Sequence, residues 1–342
     1  MDARTALQLH QEALVIDAHN DSIVALIRRG NLAIDGSRSS NSAELEGAVA
    51  YLRQHLQSPT NPIQLDIPKM HQGGLDVAIF AVDCTRPRGN HLLYLMDALG
   101  YFISEVDEHA ADITIARRAA EIEHARREGK RVAILAVENS DALEQSPYVL
   151  PLLYRLGIRV MTLTHSTRSW AGDGCEVIGG SGLTGFGHRL LDQMNDLGVV
   201  VDVSHLNEPG FWDVVEKTQA PFMATHSCCR ALCDHPRNLR DEQLRALADK
   251  GGVLGITFVP SFIDATEPTL ERLLDHIDHA VNTAGIDHVG LGSDFDGGGD
   301  LLEDATRVPD ITIGLATRGY SEDDIRKILG LNQLRLLQQV IG

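Results

Sequence analysis

Short apolar runs rich in β-branched residues recur along the chain, and many of them end on a His, Asp or Glu. VIDAHND ends on His19 and Asp21, ILAVEN on Glu138, MTLTHS on His165, VVVDVSH on His205, FMATHS on His226 and VGLGSDFD on Asp294. Runs without polar alternation mark strands buried on both faces, as in parallel sheets. The pattern predicts strands over 14–20, 76–83, 132–138, 159–165, 199–205, 221–226, 252–258 and 288–294. Amphipathic stretches lie between them: one from near Ser146 to Gly157, one from Gly185 to Gly198 and one from Thr269 to Gly285. Each stops at a glycine suited to a helix C-cap. A last helix opens at Ser321, with Asp324 three residues on, and runs toward Leu337. Eight strands alternating with helices predict a (β/α)8 TIM barrel whose strand tips gather polar residues at its C-terminal face. An open doubly wound sheet is the alternative. It needs a glycine-rich phosphate turn after the first strand, where this chain has HNDS.

Two segments interrupt the alternation. Residues 30–62 are polar and rich in Ser and Asn, and residues 172–187 contain seven glycines. They follow the first and fourth predicted strands, which places them on the face of the strand tips, where loops serve as lids. The glycines are not followed by the Lys-Ser or Lys-Thr of a phosphate loop. Neither segment reads as a domain boundary and no repeat is visible, so residues 1–342 are expected to form a single domain.

Composition narrows the partners. The chain is 43% hydrophobic and 23% charged, with a formal net charge of −18. That charge argues against nucleic acid or an anionic membrane surface as a partner. No apolar stretch approaches the roughly 18 residues of a membrane-crossing helix. The polar opening MDARTALQLHQEAL lacks the features of a signal peptide, and a cytoplasmic location is the expectation. Five cysteines, at 84, 175, 228, 229 and 233, show no disulfide-scaffold spacing, and the cluster 228–233 has no CxxC pair.

Candidate chemistry lies in the tips. His19 and Asp21 are two apart, so in an extended strand both point to one side while Asn20 points to the other. His205 and His226 each end a β-branched run, and the interval between them holds one helix and one strand, so they belong on adjacent barrel strands. Imidazoles and a carboxylate converging there suit Zn²⁺ or a similar ion. Glu138 is the candidate for a carboxylate bridging two ions, with Asp83 as its rival; none of the five lysines sits at a strand tip to substitute. Asp294 and Asp296 repeat the i, i+2 pattern: one reads as a ligand or proton shuttle, the other as a cap for the glycines at 297–299. His10, His55, His109, His124, His276 and His279 fall in helical or polar stretches and read as surface residues.

VIDAHND, the Glu138 tip, TLTHS, DVSHLNE, ATHS, HPRNL and GSDFDG resemble, in order and spacing, the renal (membrane) dipeptidase family of metallopeptidases in the amidohydrolase superfamily, over about residues 14–300. The resemblance implies a dipeptidase with two Zn²⁺ per chain. His19 and Asp21 match the first-strand ligands, Glu138 the bridging carboxylate, and His205 and His226 the histidines of the second ion. Asp294 matches the acidic residue near the scissile bond, which takes part in proton transfer and holds the substrate ammonium. His165 matches the histidine contacting the substrate carbonyl and tetrahedral intermediate, and Arg237 the arginine binding the terminal carboxylate. The implied mechanism is attack by a metal-bridging hydroxide on small dipeptides, L,D as well as L,L among the candidates, in a homodimer.

Two departures bear on specificity: Val259 stands where many relatives have a tyrosine, and Asn139 where glycine is common. Three alternatives stand beside this one. They are an amidohydrolase acting on an N-acyl amino acid or related amide, a single-zinc decarboxylase or deaminase, and a binding barrel without turnover.

Overall fold

The computed structural model describes residues 1–28, 32–37, 62–85 and 90–342. Its strands are β1 (Ile16–Asn20), β2 (Val77–Asp83), β3 (Ile113–Ile115), β4 (Arg131–Glu138), β5 (Ile158–Thr162), β6 (Val200–Asp202), β7 (Met223–Ser227), β8 (Val253–Ile256) and β9 (Val289–Leu291). All pairings among them are parallel, and they run β1–β2–β4–β5–β6–β7–β8–β9, with β9 returning to β1 through Asp17 and Leu291. Eight strands therefore close a barrel ringed by helices, the predicted (β/α)8 architecture, and each coincides with one of the eight predicted runs to within a residue at its start or end, or falls inside it. The extra strand, β3, pairs only with the first residues of β4, outside the ring. Its three residues, ITI, are too short a run to register as a strand by pattern.

The predicted helices form with the caps their sequences suggest. Thr184 and Gly198 bracket Gly185–Leu197, Thr269 and Gly285 bracket Leu270–Ala284, and Gly157 closes Val149–Leu156. The last helix is broken. Ser321 caps Glu322–Arg326, a π-helical segment follows at Lys327–Leu331, and the helix Asn332–Ile341 comes after it. Leu334, Leu337 and Ile341 of that final helix pack with Ile16, Val77, Val132, Val200 and Val253. The other face of the strands packs on the surrounding helices through Phe80, Leu135, Met161 and Leu254, among others.

Two strands lose their regular pleat near their C-terminal ends. Along β1 the register passes from Asp17 to Asn20 while β2 advances only from Ala78 to Phe80. Along β7 it passes from Ala224 to Ser227 while β8 advances only from Leu254 to Ile256. Each is a bulge of one residue, which reverses the in–out alternation beyond it. Ile16 and Ala18 face the barrel interior with Val77 and Ile79. After the bulge it is His19 that turns inward.

Two histidines read as surface residues are buried. His10 bonds Thr312 Oγ1 at 2.7 Å and the Gly73 carbonyl at 2.8 Å. His276 accepts from the Cys229 N–H at 3.1 Å through Nδ1 and donates to the Ile263 carbonyl at 2.9 Å through Nε2. Both lie in line with their helices' apolar positions, Ala6 and Leu9 in one, Leu273, Ile277 and Ala280 in the other. His124 is exposed, His109 and His279 are half-buried, and His55 lies outside the described residues.

Of the two interrupting segments, 30–62 falls largely outside the described residues. Residues 172–187 fold back in short antiparallel bridges, Arg168 with Asp173, Gly172 with Leu183 and Gly174 with Leu206. Gly174 is required by close approach: a Cβ there would lie 2.0 Å from the His165 carbonyl oxygen.

Candidate metal centre and active site

The strand tips converge. Glu138, the last residue of β4, holds Oε1 at 3.0 Å from His205 Nε2, 3.5 Å from His226 Nε2 and 3.8 Å from His19 Nε2. His205 and His226 Nε2 lie 3.0 Å apart, and the rings of His19 and His226 stack at 3.7 Å. Three groups of potential ligand atoms, each mutually within 4.8 Å, share members: His19, Glu138 and His226; Glu138, His165 and His205; His19, Asp21 and Asp294. Glu138 belongs to two of these groups and so does His19. All eight residues singled out in the sequence gather here, Arg237 included, although it reaches the site from the loop after β7.

Neighbours fix which nitrogen each imidazole presents. Thr225 Oγ1 donates to Asp202 Oδ2 at 2.7 Å, which leaves its oxygen to accept from His226 Nδ1 at 2.9 Å. His226 therefore carries its proton on Nδ1 and turns the Nε2 lone pair to the centre. Thr162 donates to the same Asp202 oxygen at 2.6 Å. His205 Nδ1 bonds Ser166 Oγ at 3.0 Å and likewise turns Nε2 inward. Asp202 and Ser166 escaped the sequence reading; the visible trace of Asp202 is a carboxylate inside the otherwise apolar run VVVDV.

The backbone is bent to hold these groups. His205 and Asp294 have φ of 67° and 60°, the left-handed region that non-glycine residues seldom adopt. Gly297 lets two carboxylates meet, since a Cβ there would lie 2.1 Å from Asp21 Oδ2 and 2.3 Å from Asp294 Oδ1. Asn139 has φ of 74° and accepts from the Asp141 N–H, so asparagine is tolerated where glycine would also serve. Asp296 does not cap the glycine turn. It accepts from Ser22 Oγ at 2.6 Å and from the Gln64 and Leu65 N–H groups, while the Gly297, Gly298 and Gly299 amides turn back to the Asp294 carbonyl.

Burial sets the protonation of the cluster. It raises Glu138 and Asp21 well above the usual carboxylate range, with Asp21, Asp83 and Asp294 adding to the rise of Glu138 and Asp294 and Asp83 to that of Asp21. It pushes Asp294 up to about 7 against the pull of Arg237. It lowers His19 to about 4, and holds His205 and His226 well below their ordinary value, with Arg237 and the neighbouring imidazoles adding to it. Neutral imidazoles beside crowded carboxylates are metal ligands already in their binding form. His19 Nε2 and Asp21 Oδ1 are buried without a hydrogen-bond partner. A cation is the group that answers both a lone pair and a carboxylate oxygen, so the donor set fits a metal ion of the zinc type.

Beside the cluster lies a cavity of about 200 Å³ lined by Asp21, Arg28, Asp83, Glu138, His165, Ser166, His205, Val259, Phe262 and Asp294, among others. Arg237, only 3% exposed, is no surface arginine. It donates to the His226 carbonyl at 2.8 Å and to Ser227 Oγ at 3.2 Å, packs over Phe262, and keeps Nε buried without a partner.

Comparison with known proteins bears on the fold and the family. A crystal structure of dipeptidase AC, a metallopeptidase of family M19, superposes with a TM-score of 0.83 at 28% identity, covering 96% of this chain and 99% of that one. A metallopeptidase from Rhodobacter sphaeroides, bound to a phosphinate mimic of the dipeptide L-Ala-D-Ala, gives 0.82 at 26% identity, covering 96% and 99%. Dipeptidase verJ of Clonostachys rogersoniana is 35% identical over 240 residues, 69% of this chain; the match spans 62% of that protein's length. The model of the membrane dipeptidase family, peptidase family M19, matches residues 3–341. With the match running nearly end to end, the chain belongs to the membrane dipeptidase family.

Proposed function

We propose that the chain is a zinc-dependent dipeptidase with two ions held at the barrel mouth, and that residues 1–342 act as one catalytic domain. The observation that carries this reading is the position of Glu138, whose Oε1 lies within 4 Å of three imidazole nitrogens. In this reading His19, Asp21 and Glu138 hold one ion, and Glu138, His205 and His226 the other. The ions would supply an acidified water as nucleophile and polarise the scissile carbonyl.

The remaining work falls to side chains. His165, stacked on His205 at 4.1 Å, donates to the developing oxyanion. Asp294, 4.0 Å from His19 Nε2 and poised near pH 7, takes the nucleophile's proton, passes it to the leaving amine and holds the substrate ammonium. Arg237, anchored through both terminal nitrogens, presents its free Nε–H and remaining N–H groups to the terminal carboxylate. Val259 and Phe262 give the cavity an apolar wall beside that carboxylate.

Among the described residues no helix is long and apolar enough to cross a membrane, and all five cysteines are free thiols. Cytoplasmic location and homodimerisation complete the proposal, the first from composition and the second by analogy with the family.

The test is metal-loaded protein assayed against a library of L,L and L,D dipeptides, with metal content measured on the same sample. Two zinc ions per chain and release of two amino acids are expected. Turnover of N-acyl amino acids without any dipeptide turnover would overturn the substrate class.

A further inference from the structure

The cavity contains a cation that none of the roles above uses. Arg28 closes the helix Ser22–Arg28, which leaves β1 directly after Asp21, and its half-buried side chain lines the cavity with Asp21 and Asp83. Its Nε is buried without a hydrogen-bond partner, and among the described residues it forms no ion pair. Its neighbour Tyr94 is 1% exposed, has Arg28, Asp83 and Asp21 as charged surroundings, and also leaves its hydroxyl unpartnered. An unanswered donor on the cavity wall, with a second buried behind it, calls for an acceptor with several lone pairs. A guanidinium answers a carboxylate best.

Barrel order says which part of a substrate reaches it. Arg237 is tied to β7 through His226 and Ser227. Arg28 belongs to the β1–β2 side, which β9 and β8 separate from β7 in one direction and β4, β5 and β6 in the other. The two cations therefore flank the metal ligands from opposite sides. A dipeptide whose terminal carboxylate lies on Arg237 and whose scissile carbonyl lies between Glu138 and His165 places its amine-bearing residue toward Asp21, Asp294 and Arg28.

Resting on the dipeptidase reading, we propose that Arg28 recognises a carboxylate side chain on the N-terminal residue, so that the preferred substrates are Glu-Xaa and Asp-Xaa dipeptides. The acidic side chain bonds the guanidinium, with the Tyr94 hydroxyl behind it. It also separates Arg28 from the substrate's ammonium, which this cation would otherwise repel.

The experiment compares the zinc-loaded enzyme on isosteric pairs, L-Glu-L-Ala against L-Gln-L-Ala and L-Asp-L-Ala against L-Asn-L-Ala. The kcat/KM ratio of acidic to amide substrate is expected to be about 10 to 100 in at least one pair, as a charge-assisted hydrogen bond confers. In Arg28→Met the ratio collapses toward one, Arg28→Lys recovers part of it, and Arg28→Glu inverts it. The ratio is read within each variant, with zinc content and Tm as controls on folding. A ratio near one in the unmodified enzyme overturns the proposal, as does a high ratio that survives Arg28→Met. So does a collapse on the reversed pair, L-Ala-L-Glu against L-Ala-L-Gln, in place of the N-terminal pairs. Hydrolysis of none of these dipeptides sinks the dipeptidase reading itself, a result distinct from turnover without acidic preference.

Discussion

His10 and His276 are as buried as His19 and His226, yet the two pairs behave as opposites. In the helical shell each imidazole has both nitrogens answered by protein, His10 by Thr312 and Gly73, His276 by Cys229 and Ile263. At the barrel mouth each histidine turns Nε2 toward a crowd of carboxylates, and His19 Nε2 has no hydrogen bond at all. A satisfied imidazole is a structural strut; one that is incompletely satisfied, beside pooled negative charge, is a ligand. Burial alone does not separate the two. The accounting of hydrogen bonds does.

The largest effect that should sharpen this contrast comes from the shared ligand. Glu138→Ala is expected to lower kcat/KM by about three orders of magnitude or more and to reduce the zinc content of purified protein. Full zinc content with near-normal turnover would remove Glu138 from the centre. His165→Ala should cost about 10²- to 10³-fold in kcat while zinc content stays at the unmodified level, as loss of one oxyanion donor does. A parallel loss of metal would make His165 a ligand, a role its membership of the Glu138–His205 group also permits. Thr225→Val should weaken zinc affinity by about 10- to 100-fold, measured by chelator competition, because it removes the acceptor that holds the His226 tautomer.

A smaller contrast lies in pH. Asp294 and Asp17 are pushed up to about 7 by burial, and Glu138 and Asp21 well above their usual range. A raised carboxylate holds its proton in the folded state after the unfolded chain has released it, so folding stability falls as pH rises through the folded value. The depressed histidines act oppositely, but only below their unfolded value near 6.5. Chelator-treated protein should therefore lose Tm between about pH 6.5 and 8, and zinc should abolish that slope. A Tm that rises over this window without metal would contradict it. Smallest is the strut: His10→Leu should cost about 1–3 kcal/mol of stability in denaturant unfolding and leave zinc content unchanged.

Much of the architecture was legible because the barrel strands are apolar runs punctuated by polar tips; those tips carried seven of the eight candidate residues, and Arg237, on a loop, was named only by the family resemblance. What escaped is local and has physical causes. β3 is too short to show a period. His10 and His276 sit at helical spacing from apolar neighbours, a signal overridden by their polarity. Arg28 drew no notice in the sequence, because nothing in its own segment shows that Asp83, far along the chain, shares its cavity. Asp296 could not be told from Asp294 by spacing; only the return of Gln64 to its carboxylate separates them.

The bulges in β1 and β7 carry a consequence for how such a barrel gains or loses its chemistry. A chain can keep every ligand letter and still lose the centre if β1 runs on as a regular strand, without the bulge between Asp17 and Asn20. The restored pleat would send the imidazole outward among the helices. The phase of the pleat is thus as informative as the letters themselves, and a relative that keeps the letters but straightens the strand would no longer present this imidazole to a metal.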